Sequence, residues 1–396
     1  MNINLADKMK HFQTSIFNEL SSYKREKMSE GVDMIDLSVG SPDLPPAQFV
    51  IDELTKQVQD PKQYGYTLTG TDELHQAIAT FYGSQYNVPV EAKQEALMVM
   101  GSQDGLVHLP MVLTNPGDTI LLPDPGYTAY HTGIALAEAE PYFMPLKEEN
   151  HFLPDLDAIP REILQKSKMM ILNFPGNPVP AVATKEFFEK VVTVAKKYNI
   201  AVLHDFAYSE LYYDEKPISF LSIEGAKEVG VEFNSFSKSF NLAGCRIGYI
   251  VGNEAIVDGL KQLKSNLDFG VFLLIQKTAI RALENATEFT QTLRSIYKAR
   301  RDLLVSGLHK AGWEVAPPKA SMFIWAKVPE SYTSTEFTYQ LMDESGIVVV
   351  PGNAFGPAGE GYVRIGLVQP EEVLEKAVQR LQNSNLFAVK TNSSFV

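Results

Sequence analysis

The sequence predicts an α/β protein in which a large domain, with a mostly parallel sheet and helices on both faces, is joined to a smaller α+β domain. Three observations support this prediction. From about residue 96, short apolar runs alternate with helical patterns, as in the βα units that build a parallel sheet. Beyond residue 285, a long charged helix is followed by separate strands. The composition, with 45% hydrophobic and 21% charged residues among 396, is typical of a globular protein.

Residues 1–45 are expected to form an arm and part of the smaller domain. Apolar side chains recur at helical spacing over residues 11–27, which predicts an amphipathic helix. Residues 34–39 form an extended run that ends in a turn. Helices are then expected over residues 46–58 and, with Asp72 as the cap, over residues 72–82.

Residues 46–285 are predicted to form the large domain. Five apolar runs predict strands, and polar residues or glycines follow each run directly. The runs are Ala96–Met100, Thr119–Leu122, Lys168–Leu172, Ile200–His204 and Glu232–Asn234. Because open parallel sheets bind ligands at the carboxyl ends of their strands, we expect the five following segments to meet in one crevice.

Residues 286–396 are predicted to form the smaller domain. A charged helix is expected over residues 288–310 and a last helix over residues 371–381. Between these helices lie runs that are typical of strands, namely Ser321–Lys327, Ile347–Pro351 and Tyr362–Gly366.

The composition disfavours several classes of function. The formal net charge of -13 argues against broad binding to nucleic acids or anionic membranes, which needs a basic surface. The single cysteine, Cys245, allows neither an intrachain disulfide nor a cysteine-based zinc site, and no other clustered ligand set suggests a catalytic metal. No apolar stretch reaches the roughly 20 residues that span a bilayer, and no signal peptide is evident. We therefore expect a cytoplasmic protein without membrane or nucleic-acid partners.

The chemistry is expected in residues 234–248. Lys238 lies between two serines, and Arg246 follows eight positions later. A lysine amine can form an imine with an aldehyde once it has lost a proton, and a nearby positive field favours that loss. The alternative is a solvated lysine in a serine-rich loop. Residues 101–105 precede a helix, so backbone N–H groups and Ser102 could bind an anion, although Ser102 could equally be a simple helix cap.

Residues Ser235-Phe-Ser-Lys238 with Gly244-Cys-Arg246-Ile-Gly248 resemble the lysine signature of pyridoxal-phosphate-dependent aminotransferases of fold type I, the class I/II or aspartate aminotransferase superfamily. Further segments match that family in order along the chain: Gly40-Ser-Pro-Asp, Tyr66 before Gly70, Gly101-Ser-Gln, Asp124-Pro-Gly-Tyr127, Asn177-Pro, Asp205-Phe-Ala-Tyr208 and Tyr362-Val-Arg364. The resemblance implies a fold-type-I architecture and pyridoxal 5′-phosphate as the cofactor. It also implies transfer of an amino group between an L-amino acid and a 2-oxo acid.

The resemblance implies a role for each matching residue. Lys238 would bind the cofactor's aldehyde and later move a proton between the substrate α-carbon and the cofactor. Asp205 would pair with the pyridine nitrogen and keep it protonated. Tyr208 and Asn177 would donate hydrogen bonds to the phenolic oxygen. Tyr127 would stack on the ring, with a plain core tyrosine as the alternative.

Other matching residues would bind the phosphate and the substrate. The phosphate would be held by four small or polar residues and one arginine: Ser102, Gln103, Ser235, Ser237 and Arg246. Tyr66 would reach this phosphate from a second subunit, which implies a homodimer with shared active sites. Arg364 would bind the substrate α-carboxylate with both arms of its guanidinium, aided by Asn177 and the backbone of Gly40. The alternative for Arg364 is an ordinary strand-end arginine.

Two positions depart from the family's pattern. Relatives often have Asn-Pro-Thr-Gly where this chain has Asn177-Pro-Val-Pro180, so the turn must differ because proline cannot adopt the positive φ of glycine. Cys245 precedes the phosphate arginine, and we expect a small packed side chain there, not a nucleophile.

The substrate is the least constrained part of the prediction. Residues 265–272 contain no arginine, which disfavours a dedicated dicarboxylate enzyme. Phe12 and Phe17 are expected to cover the substrate, which favours a neutral, apolar, aromatic or methionine-like amino acid. The alternatives are an LL-diaminopimelate aminotransferase and a carbon–sulfur lyase on the same fold. An aminotransferase-like domain of a transcription regulator is disfavoured, because the chain is acidic and would need a DNA-binding domain.

Overall fold

The computed structural model describes residues 3–12, 16–384 and 386–387. The strands are β1 (Ile35–Asp36), β2 (Ala96–Val99), β3 (Thr119–Asp124), β4 (Glu140–Pro145), β5 (Ser167–Leu172), β6 (Ala201–Asp205), β7 (Gly230–Ser235), β8 (Gly248–Gly252), β9 (Phe323–Lys327), β10 (Ile347–Val348), β11 (Val350–Pro351) and β12 (Tyr362–Gly366). The α-helices are α1 (Ile16–Ser29), α2 (Gln48–Val58), α3 (Asp72–Tyr86), α4 (Ser102–Leu113), α5 (Ala129–Leu136), α6 (Arg161–Lys166), α7 (Lys185–Tyr198), α8 (Ala226–Val229), α9 (Phe236–Ser239), α10 (Glu254–Lys264), α11 (Leu273–Glu284), α12 (Ala286–Lys310), α13 (Ser334–Ser345) and α14 (Glu371–Gln382).

The described residues fall into two compact units. The described part of the first unit comprises residues 3–12, 41–295 and 319–321, and that of the second comprises residues 16–40, 296–318, 322–384 and 386–387. Helix α12 therefore begins in the first unit and ends in the second. The domain limits expected at residues 45 and 285 stay a prediction.

A seven-stranded sheet forms the centre of the first unit, with the order β2-β8-β7-β6-β5-β3-β4. Strands β4, β3, β5, β6 and β7 pair in parallel, whereas β8 is antiparallel to both of its neighbours. The predicted α/β class with a mostly parallel sheet is thus confirmed. No strand was predicted over β8 or over β4, where prolines flank the short apolar run Tyr142–Met144.

The direction of the strands places polar residues at one edge of this sheet. Strands β5, β6 and β7 run parallel and end at Leu172, Asp205 and Ser235. Strand β2 runs the same way as β7, because both are antiparallel to β8, and helix α4 begins at Ser102 just beyond it. The carboxyl ends of these strands carry the segments that the sequence analysis singled out.

The amino-terminal helices differ from the prediction in their starting points. A short 3-10 helix over Asp7–His11 precedes α1, and residues 13–15 lie outside the described residues. Helix α3 is capped by Thr71, whose hydroxyl accepts the Leu74 N–H at 3.2 Å, and not by Asp72. The prediction was wrong by one position because both side chains are good caps.

The second unit contains two small sheets. Strand β1 pairs in parallel with β10, and β11, β12 and β9 form an antiparallel sheet in that order. Leu20 of α1 packs with Met342 and Val348 in an apolar cluster, which explains the burial of one face of this helix. Among the helices that the structure describes, none has a stretch long and apolar enough to cross a membrane.

Candidate active site

Lys238 lies in the short helix α9, directly after strand β7. Ser235 caps this helix, because its Oγ accepts the N–H of Ser237 at 3.1 Å. Lys238 is half-buried, and its Nζ is 5.9 Å from the centre of the Tyr208 ring. The lysine amine therefore lies near an aromatic ring at the carboxyl edge of the sheet.

An anion cradle lies at the first turn of helix α4. Gly101 precedes the helix with a φ of 77°, and a Cβ added there would lie 2.6 Å from Nη2 of Arg246. The guanidinium thus lies against the helix terminus, and only a glycine allows this approach. Arg246 Nη1 also donates to the carbonyl of Ala243 at 3.1 Å, which helps to orient it. A helix amino terminus and a forked cation together form a typical phosphate site.

Three other residues of the predicted phosphate-binding set lie at the start of α4 or in α9. Ser102 is half-buried at the start of α4, and Ser237 is buried in α9. Gln103 is exposed, and its Oε1 accepts a hydrogen bond from the Tyr127 hydroxyl at 3.4 Å. The donor set therefore fits a phosphate monoester, and the adjacent amine of Lys238 fits an aldehyde. Pyridoxal 5′-phosphate carries both groups.

Asp205 ends strand β6 and is 4% exposed. Its Oδ2 accepts a hydrogen bond from the Tyr130 hydroxyl at 2.8 Å, and its Oδ1 accepts the Ala207 N–H at 3.3 Å. Burial raises the pKa of Asp205, while these bonds and the positive charge of Lys238 act in the opposite direction. Since both donors are neutral, the carboxylate can still gain from a cationic N–H such as a protonated pyridine nitrogen.

The loop after β5 connects Asp205 to Asn177. The amide of Asn173 donates to the backbone carbonyl of Asp205 at 2.8 Å, and its oxygen accepts the Asn177 N–H at 2.9 Å. Neither Asn173 nor Tyr130 was predicted from the sequence as a site residue. A signal for Asn173 was present, because it is a polar residue directly after an apolar strand.

Tyr66 belongs to an exposed group of apolar side chains. Tyr66 is 83% exposed, and the centre of its ring is 4.9 Å from the centre of the Phe269 ring. The rings of Tyr64 and Phe272 lie 5.3 Å apart. We call this surface of the first unit the aromatic patch; it comprises Tyr64, Tyr66, Leu68, Leu267, Phe269 and Phe272, each at least 43% exposed.

Arg364 and Gly40 belong to the second unit, where they lie together. Arg364 is 3% exposed, and its guanidinium is 4.3 Å from the ring centre of Phe323 and 4.9 Å from that of Phe355. Its Nη2 donates to the carbonyl of Ser38 at 2.6 Å. A Cβ on Gly40 would lie 3.6 Å from the same Nη2. The guanidinium of Arg364 thus packs against two aromatic rings and lies next to the backbone of Gly40.

Among the described residues, neither Cys245 nor a cluster of metal ligands adds a reactive group to this site. Burial raises the pKa of the Cys245 thiol, which agrees with the expectation of a packed side chain and not a nucleophile. Within residues 3–12, 16–384 and 386–387, no group of three or more His, Cys, Asp or Glu side chains could hold a metal ion.

Comparison with known proteins identifies the family. The family model described as aminotransferase class I and II matches residues 32–381. The chain belongs to this family. It is 42% identical to the LL-diaminopimelate aminotransferase of Halothermothrix orenii over 383 residues, which are 96% of this chain and 98% of that protein.

Solved structures agree with this assignment. Substrate-bound BacF from Bacillus subtilis has a TM-score of 0.92 and 39% identity, with 97% of this chain and 98% of that chain covered. A probable N-succinyldiaminopimelate aminotransferase from Thermus thermophilus has a TM-score of 0.89 and 35% identity, with 93% of this chain and 100% of that chain covered. The predicted family, enzyme class and cofactor are confirmed: the protein is a pyridoxal-phosphate-dependent aminotransferase.

Proposed function

We propose that this aminotransferase moves an amino group between LL-diaminopimelate and a 2-oxo acid. The observation that carries the proposal is the 42% identity to LL-diaminopimelate aminotransferases over almost the full length of both chains, in Halothermothrix orenii and also in Aquifex aeolicus. The sequence analysis favoured an apolar or aromatic substrate, and the relatives support its alternative instead.

Lys238 is the proposed catalytic residue. Pyridoxal phosphate, when bound, supplies an aldehyde and a ring that accepts electrons from the substrate α-carbon. Lys238 Nζ would hold this aldehyde, and as a free amine it would take the proton from the substrate α-carbon. Its position against Tyr208, 5.9 Å from the ring centre, supports a side chain with limited freedom.

The remaining residues of the first unit hold the cofactor in this proposal. Asp205 keeps the pyridine nitrogen protonated, and its burial between neutral donors supports that role. Asn177 and Tyr208 donate to the phenolic oxygen, and Tyr127 stacks on the ring. The phosphate is bound at the start of α4 by Ser102, Gln103, Ser235, Ser237 and Arg246, which the cradle beside Gly101 supports.

Arg364 binds the substrate α-carboxylate in this proposal. The guanidinium is flat and permanently charged, so it can bind a carboxylate with two parallel hydrogen bonds. Packing on Phe323 and the bond to Ser38 restrict its rotation, which lowers the entropy lost when substrate binds. The backbone of Gly40, in the same unit, assists at this carboxylate.

We also propose that the enzyme is a cytoplasmic homodimer. The aromatic patch supports the dimer, because six large apolar side chains grouped in two neighbouring segments are costly to leave in water. Tyr66, the most exposed of them, would then reach the phosphate in a second copy. Sedimentation should show twice the mass of 44.0 kDa, and a monomer with full activity would contradict this part of the proposal.

Half-reactions in single turnovers test the substrate. Purified enzyme is mixed with LL-diaminopimelate, methionine, phenylalanine or glutamate, and loss of the visible absorbance of the Lys238-bound cofactor is followed. LL-diaminopimelate should react with the highest kcat/KM, with its α-amino group transferred and its carbon chain intact. Lys238→Ala should abolish the reaction, and wild-type protein without cofactor absorbance would overturn the scheme.

One observation favours the second candidate, an aromatic or apolar amino acid. Within the second unit, the ring of Phe17 packs edge-on against Phe355 at 5.8 Å, and Phe355 also contacts Arg364. Apolar rings near a carboxylate-binding arginine suit an apolar side chain. Faster turnover of phenylalanine or methionine than of LL-diaminopimelate would select this candidate and reject the first.

A further inference from the structure

Two fully buried ionisable residues lie directly behind the proposed cofactor site and have no role in the mechanism above. His204 precedes Asp205 on strand β6, and Glu232 is its partner on strand β7. Both side chains are 0% exposed. Because successive side chains of a strand point to opposite faces, His204 lies on the other face of the sheet from the Asp205 carboxylate.

The hydrogen bonds of His204 restrict its protonation state. Its Nε2 is 3.0 Å from the carbonyl oxygen of Phe174, which can only accept, so Nε2 must carry a proton. Its Nδ1 is 2.8 Å from Oε1 of Glu232. A proton must also lie between these two atoms, either on the histidine or on the glutamate.

The surroundings of the pair favour placing this proton on the histidine. Glu232 also accepts hydrogen bonds from the Ser219 hydroxyl at 2.7 Å and the Phe220 N–H at 2.6 Å, and both stabilise a carboxylate. The His204 ring lies 4.9 Å from the ring of Phe206, and Phe188 and Phe220 also flank it. Aromatic faces near a cation add further stabilisation.

This pair is connected to the cofactor-binding residues through one loop. The carbonyl that His204 holds belongs to Phe174, which directly follows Asn173. Asn173 in turn holds the Asp205 carbonyl at 2.8 Å and the Asn177 N–H at 2.9 Å. A shift of the Phe174 carbonyl would therefore be transmitted to both residues.

We propose that His204 is a positioning residue for the cofactor: a buried imidazolium, paired with Glu232, that fixes the loop from Asn173 to Asn177 and places a positive charge behind Asp205. This inference rests on the proposed roles of Asp205 and Asn177. Among the described residues, the ionisable side chains near the pair are Asp205, on the opposite face of β6, and Tyr82 of α3 and Tyr249 of β8, which both interact with Glu232. The positive charge favours the ionised form of Asp205, which a protonated pyridine nitrogen requires.

Nitrogen-15 NMR of histidine-labelled holoenzyme tests the charge without any substitution. The chain has seven histidines, and His204→Gln identifies the signals of this one. Both ring nitrogens of His204 should carry a proton in the folded holoenzyme near neutral pH. A ring with one unprotonated nitrogen under these conditions would overturn the inference. If His204→Gln does not fold, Glu232→Gln provides the assignment, because only the signals of the paired ring should move strongly.

Cofactor binding tests the positioning role. In His204→Gln, the dissociation constant of pyridoxal phosphate should rise about tenfold, the factor expected for one lost charge-assisted hydrogen bond. The pH midpoint of the visible absorbance of the Lys238-bound cofactor should move upward, since the pyridine nitrogen and phenolic oxygen are held less well. His309→Gln is the matched control: this ring also bonds a carbonyl, that of Val315 at 2.8 Å, but lies in the second unit.

A lower melting temperature with unchanged cofactor affinity and unchanged absorbance midpoint would reduce His204 to a structural role and overturn the inference. Asp205→Asn separates this failure from a failure of the proposed function. If Asp205→Asn weakens cofactor binding and His204→Gln does not, only the inference fails. If neither does, the proposed role of Asp205 fails as well.

Discussion

Two carboxylates of the first unit, Asp104 and Asp205, lie in opposite electrostatic surroundings. The former accepts hydrogen bonds from Lys264 Nζ at 2.5 Å, His108 Nδ1 at 2.8 Å and the Met100 N–H at 2.9 Å. Burial acts to raise the pKa of Asp104, but these donors outweigh burial and lower the pKa to about 2. At Asp205 the donors are neutral, and burial raises the pKa.

The difference between the two carboxylates shows which of them can gain from binding a cationic ligand. Asp104 has a buried lysine as its counter-ion, and Lys264 is shared with Asp268 at 2.6 Å, so this group is complete within the chain. Among the residues that the structure describes, the hydrogen-bond donors to the Asp205 carboxylate are uncharged. A carboxylate held in that way can bind a cationic ligand strongly. The ligand's charge offsets the free-energy cost of burying the carboxylate, which is already present in the ligand-free protein.

Of the two carboxylate variants, Asp205→Asn should cause the larger loss of function. An amide cannot neutralise a protonated pyridine nitrogen, so kcat/KM for transamination should fall on the order of 10³-fold. Asp104→Asn is the contrasting variant and should keep kcat/KM within about tenfold of wild type under conditions where it is folded, because the carboxylate acts on stability. Equal losses of kcat/KM in the two variants would remove the distinction between the two sites.

Asp104→Asn should cause the largest loss of stability. It leaves Lys264, which is 0% exposed, with an incomplete set of partners, and breaking such a buried pair costs about 3 kcal/mol. Denaturant unfolding measures this free energy. The double variant Asp104→Asn/Lys264→Met should recover part of the loss, since it removes the uncompensated charge. A cost below about 1 kcal/mol for the single variant would mean that the ion pair is not stabilising.

The sequence made the strand ends that carry the proposed cofactor-binding residues predictable. Asp205 is the last residue of β6 and Ser235 the last of β7, and short apolar runs reveal where such strands end. The Asp104–Lys264 pair could not be predicted, because its partners are 160 positions apart and a lysine in an amphipathic helix is normally exposed. The contact from Tyr130 to Asp205, 75 positions apart, depends on packing in the same way.

The pH dependence of stability should differ in sign between the two carboxylates. The folded pKa of Asp104, about 2, lies below its ordinary value, so its contribution is present above about pH 4 and is lost as the pH falls toward 2. That contribution is about 2 kcal/mol. The difference in unfolding free energy between wild type and Asp104→Asn should therefore shrink over this range. A constant difference from pH 5 to pH 2 would contradict the lowered pKa.

Tyr130→Phe should have the smallest effect of the series. It removes the hydroxyl that bonds Asp205 Oδ2 at 2.8 Å, at a cost of about 1 kcal/mol. The loss should appear as a decrease of up to about tenfold in kcat/KM, with the ring packing against Tyr127 unchanged. Tyr249→Phe, a buried tyrosine on β8, is the control and should leave kcat/KM near the wild-type value. An equal decrease in both variants would point to a general packing effect.

The unfolding free energy of Asp205→Asn, measured with and without pyridoxal phosphate, distinguishes a cofactor-binding carboxylate from a structural one. Opposite changes are expected: without cofactor the variant is at least as stable as wild type near pH 7, because a poorly compensated buried charge is gone. With cofactor the variant is less stable than wild type, because the ligand stabilises it less. If Asp205→Asn destabilises the cofactor-free protein as much as the holoenzyme, Asp205 is a structural carboxylate like Asp104, and the account is wrong.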